Sequence, residues 1–239
     1  MNTKLWFKNI CSDNHFSLTN EMADKLEMFH ALIAEWNKKM NLISRKDEQN
    51  IWSKHILASL SFAFHFRLGE ESTVLDLGTG GGLPGIPLAI THPLMTVILL
   101  DSINKKINAV KDIVQRIGLD NVDVLCGRAE EIGRKEPYKH SVDYVVARAV
   151  STIDDIIKWS EPWLIQIKDK NGGSVRIDDQ RILIPRGSII LLKGGNIQNE
   201  IEFAQRSTKI ENIIIDDLKI KGINEESMTD KKIVILQYH

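Results

Sequence analysis

At 239 residues, 43% hydrophobic and 26% charged, the chain can bury a real core but is too short for two large domains, so one main domain with an appendage is expected. Its 31 Lys and Arg nearly balance 32 Asp and Glu, a net of −1, which excludes capture of an anionic partner by overall charge and demands a local patch. Cys11 and Cys126 match no metal-ligand or disulfide spacing, the opening segment is broken by Lys4, Lys8 and Asp13, and no apolar run reaches the ~18 residues of a membrane span. A soluble, metal-free protein of the reducing cytoplasm is expected.

Met22, Leu26, Phe29, Ile33, Trp36 and Met40 recur at steps of three and four, which predicts an amphipathic helix with Asn20 as its cap. A second helix is predicted from about Asp47 to Arg67, with Ile51, His55, Ala58 and Phe62 on one stripe. On that apolar stripe, His55 reads as a core histidine rather than a catalyst. These helices form an N-terminal unit over residues 1–70. From Thr73 the pattern changes to short β-rich runs separated by helical stretches: TVLDL, TVILLD, NVDVLC, VDYVVA, SIILLK and KIVIL. That alternation predicts an α/β fold with a doubly wound parallel sheet over residues 71–239, whose ligands lie beyond the carboxyl ends of the strands. Residues 166–187, with Asn171-Gly172-Gly173 ahead of two short β-like runs, read as an inserted hairpin.

The turn after the first strand, VLDLGTGGGLPGIPLA, concentrates glycines. No lysine follows them as a phosphate loop requires, and the dinucleotide spacing is met only by Gly80, Gly82 and Gly85, two residues late. Asp76 precedes glycines at alternate positions, Gly78, Gly80 and Gly82. S-adenosylmethionine carries an ammonium and a sulfonium and no phosphate, so a carboxylate beside bare backbone suits it where a pyrophosphate would be repelled. Asp101, ending the second strand, is placed to take ribose hydroxyls, as in dinucleotide enzymes also. Glu130 in GRAEEI reads equally as an adenine contact or as a solvated helix start.

At the fourth strand end, VVARAVST holds neither a Pro-Pro-aromatic run nor a cysteine for covalent attack. Arg148 there and Lys193 in LLKGG remain as cations facing the acceptor. Cationic donors suit an aromatic ring nitrogen, which needs alignment and no base. Residues 36–67 carry Lys38, Lys39, Arg45, Lys46, Lys54 and Arg67 against Asp47 and Glu48, a net of +4, and the inserted hairpin adds +2. Either stretch is a candidate nucleic-acid footprint or a solvated face.

WNKKMNLISRKDEQNIWSKHILASL, LDLGTGGGLPGIPLAI, LLDSINKKI, GRAEEI, ARAVSTI and LLKGG together resemble the glucose-inhibited division protein B family, the bacterial small-subunit ribosomal RNA methyltransferases G, from about Ser17 to the end. The resemblance implies a class I S-adenosylmethionine-dependent methyltransferase acting on guanine N7 in a loop near the decoding centre. It places Gly78, Leu83, Ala129, Glu130 and Arg148 on cofactor positions and Lys193 on a basic position near the acceptor. With it, Lys38, Lys39, Arg45, Lys46, Lys105 and Lys106 become candidate RNA contacts. Lys54 and Ala58 stand where the family has arginine and aspartate, and the hairpin is longer than is typical. Two other activities keep parts of this reading: a small-molecule methyltransferase, and an RNA-binding assembly factor that holds the cofactor without turnover.

Overall fold

The computed structural model describes residues 3–166, 175–176, 181–223 and 231–238. Helix α1 (Thr3–Asp13) precedes α2 (Asn20–Asn37), which buries Leu26, Phe29 and Ile33 as the periodicity requires. The cap lies one residue before the expected Asn20. Thr19 has the extended backbone of a cap, and its hydroxyl accepts from the Met22 N–H at 3.2 Å.

The second expected helix is not continuous. A 3-10 turn (Arg45–Asn50) leads into a π-helical segment (Ile51–Leu57), one α-helical turn, α3 (Ala58–Leu60), and a second 3-10 turn (Ser61–Phe64). Side chains compete for its carbonyls: Ser59 Oγ donates to His55 O and Ser61 Oγ to Ala58 O, both at 2.7 Å. The chain then forms a two-residue strand, β1 (Phe66–Arg67).

The main sheet begins with β2 (Thr73–Leu77), followed by α4 (Gly85–Thr91), β3 (Thr96–Asp101), α5 (Asn104–Ile117), β4 (Val122–Cys126), α6 (Ala129–Ile132), β5 (Tyr144–Arg148) and α7 (Ile153–Ser160). After the short strands β6 (Val175–Arg176) and β7 (Ile182–Leu183) come β8 (Ser188–Gly194), α8 (Gln198–Gln205), β9 (Ile210–Asp217) and β10 (Lys231–Tyr238). The spatial order is β4-β3-β2-β5-β8-β10-β9. The first five strands run parallel and β10 runs antiparallel to both neighbours. All six expected runs are strands. Strand β9 was not expected; its burial alternates only partly, as befits an edge strand. Residues alternate between two cores: Val74, Val97 and Val146 face α2, α4, α5 and the N-terminal helices, while Leu75, Ile98 and Val145 face α7 and α8. The helices before residue 70 thus share one core with the sheet, and Trp36 Nε1 donates to Asp112 Oδ2 at 2.7 Å to join α2 to α5.

Strand β7 pairs parallel with β1 and antiparallel with β6. That antiparallel pair falls inside the expected hairpin. Residues 167–174 and 177–180 of it, with Lys168 and Lys170, lie outside the described residues. No described helix is long and apolar enough to cross a membrane. Because β2 has β3 on one side and β5 on the other, the order reverses at β2, and the glycine turn leaves the sheet at that switch point.

Candidate active site

The glycine turn hangs from the neighbouring strand. The N–H groups of Gly78 and Thr79 both donate to Leu100 O, at 2.8 and 2.9 Å. Gly78, Gly80 and Gly82 have φ of 71°, 58° and 87°, the left-handed region that favours glycine. They differ in what surrounds them. A Cβ on Gly78 would lie 2.7 Å from Val150 Cγ1 and one on Gly82 would overlap Ile86, whereas at Gly80 the nearest atom is Gly78 O at 3.9 Å. Gly80 therefore presents open space, as a backbone that must admit a ligand does.

The two acids differ from the expectation. Asp76 is fully buried; its Oδ2 accepts from Thr79 Oγ1 at 2.6 Å and from the Gly85 N–H at 2.7 Å. Burial pushes its carboxyl up to about 7. It spans the turn from strand to helix α4 and does not line the cavity, so its first role is to hold the backbone rather than to face an ammonium. Asp101 Oδ2 accepts from the Gly80 N–H at 3.0 Å and its Oδ1 from the Ile103 N–H at 2.9 Å. It fixes the same turn from the β3 side.

A cavity of about 400 Å³ opens beside the turn, walled by Gly78, Thr79, Gly80, Gly81 and Leu83, by Leu42 and Ile43, and by Lys54, Lys106, Arg148, Lys193 and Lys231. Leu42 and Ile43 are held there because both their N–H groups donate to Asn37 Oδ1, at 2.8 and 2.9 Å. A Cβ on Gly81 would lie 3.2 Å from Leu42 Cβ, so this loop packs directly on the turn. Turn and N-terminal helices make one wall.

Arg148 ends β5 and donates to Lys54 O at 3.2 Å and to His55 Nδ1 at 2.9 Å. Burial first, and then the Arg148 charge, push His55 down to about 4, so it stands neutral with Nδ1 as acceptor. His55 Nε2 lies 3.7 Å from Asp47 Oδ2. His55 is buried, as expected of a core histidine, but it also lines the cavity and orients Arg148. Lys193 is likewise in the wall; its Nζ donates to Ser151 O at 2.7 Å and pairs with Glu200 at 2.8 Å.

The other expected residues are dispersed. Gly82, Asp76, Asp101, Ala129 and Glu130 are not in this wall. Ala129 is buried at the start of α6 and its carbonyl accepts from Trp163 Nε1 at 2.8 Å, while Glu130 is half-buried beside it. Lys38, Arg45 and Lys46 are exposed on either side of the Leu42–Ile43 loop, and Lys39 pairs with Glu35 at 3.0 Å over the Trp36 ring. Lys105 is exposed and Lys106 reaches the cavity. Thr79 and Lys231 were not foreseen. Lys231 starts the antiparallel strand β10 opposite Gly194, which brings the beginning of that strand to the carboxyl ends of the others. Among the described residues no His, Cys, Asp and Glu cluster fits a metal ion.

A family model described as rRNA small subunit methyltransferase G matches residues 22–171. The chain belongs to this family. A ribosomal RNA small subunit methyltransferase G of Bacteroides fragilis is 38% identical over 217 residues, covering 91% of this chain and 93% of that protein. One of Chlorobium chlorochromatii is 35% identical over 232 residues, covering 95% and 88%. The fold is also similar to a fibrillarin/Nop5p complex (TM-score 0.53, 12% identity, 78% of this chain and 82% of that one). M. jannaschii TYW2 in complex with AdoMet matches with a TM-score of 0.51 at 14% identity, over 79% and 77% of the two chains. The donor of this family is S-adenosylmethionine, and the open cradle at Gly80 fits it: backbone without a side chain, inside a cavity with apolar walls.

Two expectations follow from this geometry. Gly80→Val places a β-branched side chain in the open cradle at a φ that costs on the order of 1–2 kcal/mol for any L-residue; calorimetry should show S-adenosylmethionine binding lost in a protein that still unfolds cooperatively. Near-native affinity would make the turn purely structural. The second concerns acid stability. A base held below its usual value takes up its proton first in the unfolded chain, so stability is full above about pH 6.5, falls as the pH drops, and levels off below about 4. His92, also pushed down to about 4 by burial, acts in the same sense. His55→Gln isolates the His55 share: the stability gap to the natural protein, measured by urea unfolding, should narrow by roughly 2 kcal/mol between pH 7.5 and 4.5. A constant gap would mean that His55 is not held neutral.

Proposed function

We propose that this chain transfers a methyl group from S-adenosylmethionine to N7 of a guanine in small-subunit ribosomal RNA, acting in the cytoplasm on RNA held in a ribosomal subunit. The observation that carries the reading is the open Gly80 cradle facing a wall of cations in a member of this family. The donor supplies an electrophilic methyl on a positively charged sulfur. Guanine N7 has an in-plane lone pair and no proton to lose, so what the chain must supply is alignment and exclusion of water.

The wall suits that chemistry. Its one imidazole, His55, already accepts from Arg148 and has no free lone pair to serve as a base. Among the described residues no carboxylate lines the cavity. An exocyclic amine would want such a base; N7 does not. Leu42, Ile43 and Leu83 keep the space apolar, and Arg148 presents a guanidinium suited to an oxygen of the acceptor nucleotide, leaving the N7 lone pair free for the methyl. We assign Gly78, Gly80, Gly82 and Leu83 to the cofactor cradle, which Asp76 and Asp101 hold in shape. Asp101 also serves the ribose, and Ala129 with Glu130 serves the adenine. Lys193, paired with Glu200, stays near the acceptor, and Lys38, Lys39, Arg45, Lys46, Lys105 and Lys106 carry RNA phosphates around the mouth.

Transfer of labelled methyl to undermethylated small subunits tests this. The natural protein should label small-subunit RNA as 7-methylguanine, and Arg148→Ala should lose on the order of a hundredfold in kcat/KM, more than it loses in affinity for S-adenosylmethionine. Label entering only free nucleosides or metabolites would make this a small-molecule methyltransferase. Cofactor binding without any transfer would leave an assembly factor.

A further inference from the structure

Among the described residues, no carboxylate in the cavity wall balances its cations. Of the five in its wall, Lys54 pairs with Asp47 at 2.6 Å and Lys193 with Glu200 at 2.8 Å. Arg148, Lys106 and Lys231 form no salt bridge among the described residues, although the Asp47 charge still acts on Arg148 and Lys231 from farther off. Arg148 spends its donors on a carbonyl and a neutral imidazole, neither of which cancels its charge. Lys231 is half-buried, and burial, with Arg148 and Lys54 repelling it, holds its ammonium below the usual lysine range.

Three separate elements converge to produce this crowding: the π-helical segment carrying Lys54, the end of β5 and the start of β10. Strand β10 separates its first two lysines, for Lys232 pairs with Asp217 of β9 while Lys231 is left to the cavity. Like charges gathered in a partly dehydrated wall are costly unless an anion joins them. The cofactor cannot balance them, since its one carboxylate is outweighed by its own ammonium and sulfonium. The remaining reactant is the acceptor, and RNA brings a phosphodiester on either side of every base.

We propose that Lys231, together with Arg148 and Lys54, forms a phosphate pocket inside the cavity that grips a backbone phosphodiester of the acceptor RNA next to the methylated guanine. This rests on the reading that RNA is the acceptor. The pocket is distinct from the outer basic stretch at Lys38 to Lys46: it lies beside the cradle and sets the depth to which the nucleotide enters.

The test uses the full chain as Lys231→Gln and Lys231→Arg, with undermethylated small subunits and S-adenosylmethionine as separate probes. Lys231→Gln should bind S-adenosylmethionine within twofold of the natural protein and unfold at the same or a higher temperature, since a crowded charge is removed. Its affinity for subunits should fall about tenfold, and the log-log salt slope should shrink by about 0.7, the share of one phosphate contact on a single strand. Lys231→Arg should restore both. An unchanged slope overturns the pocket, and so does a matching loss of cofactor affinity, which would give the site to the methionine carboxylate. Natural protein that fails to methylate subunits at all would instead remove the RNA reading, independently of either variant.

Discussion

Two hydrogen bonds to one buried oxygen hold this site together. Asp76 Oδ2 receives the Thr79 hydroxyl and the Gly85 N–H, and so ties the end of β2, the glycine turn and the start of α4 into one rigid unit. A Cβ on Gly85 would lie 2.7 Å from that oxygen, so glycine is required there for the approach as well as at Gly80 for the ligand. The carboxyl, raised to about 7 by burial, is partly protonated near physiological pH, which reduces the cost of keeping it dry. Asp101 completes the frame by accepting from the Gly80 N–H. What remains free is the face of the turn that a cofactor must approach.

The second constraint is electrostatic. A chain with a net charge of −1 concentrates five cations, among the described residues, around one cavity by bringing a broken helix, two parallel strand ends, the first turn of α5 and the start of an antiparallel strand to the same edge of the sheet. His55 reconciles packing with that charge. Neutral, it fills space beneath the broken helix and still accepts a hydrogen bond from Arg148. The irregular 51–57 segment serves the same end, because its Lys54 carbonyl is spent on the Arg148 guanidinium.

How much of this was legible in the sequence depended on whether the signal was local. Six strands of the main sheet and the glycine turn were, since β-rich runs and the Asp76–Gly85 spacing are written in consecutive residues; the edge strand β9, whose burial alternates only partly, was not. The discontinuity at 45–64 was not, because Ser59 and Ser61 turn back on the chain only when packing removes water from the carbonyls. The two acids were found, but their hydrogen bonds to the turn were not, because a carboxylate reads as a charge in sequence, while its burial is a property of the fold. His55 read as core and is core, yet its link to Arg148 spans 93 residues. Lys231 was invisible for a topological reason, as only the antiparallel sense of β10 carries its first residue to the ligand edge.

Asp76 acts as a hydrogen-bond acceptor shaping the backbone, not as a counter-charge to the cofactor. Calorimetric titration of S-adenosylmethionine into Asp76→Asn and Asp76→Ala tests it most directly. The amide keeps one oxygen able to accept both bonds and loses the charge, so Asp76→Asn should bind within about threefold of the natural protein, well under 1 kcal/mol. Asp76→Ala leaves two buried donors unmet and should lose measurable binding along with about 2–4 kcal/mol of stability. If folded Asp76→Asn loses the cofactor as completely as Asp76→Ala, the charge itself is what binds, and the two hydrogen bonds are not what shapes the site.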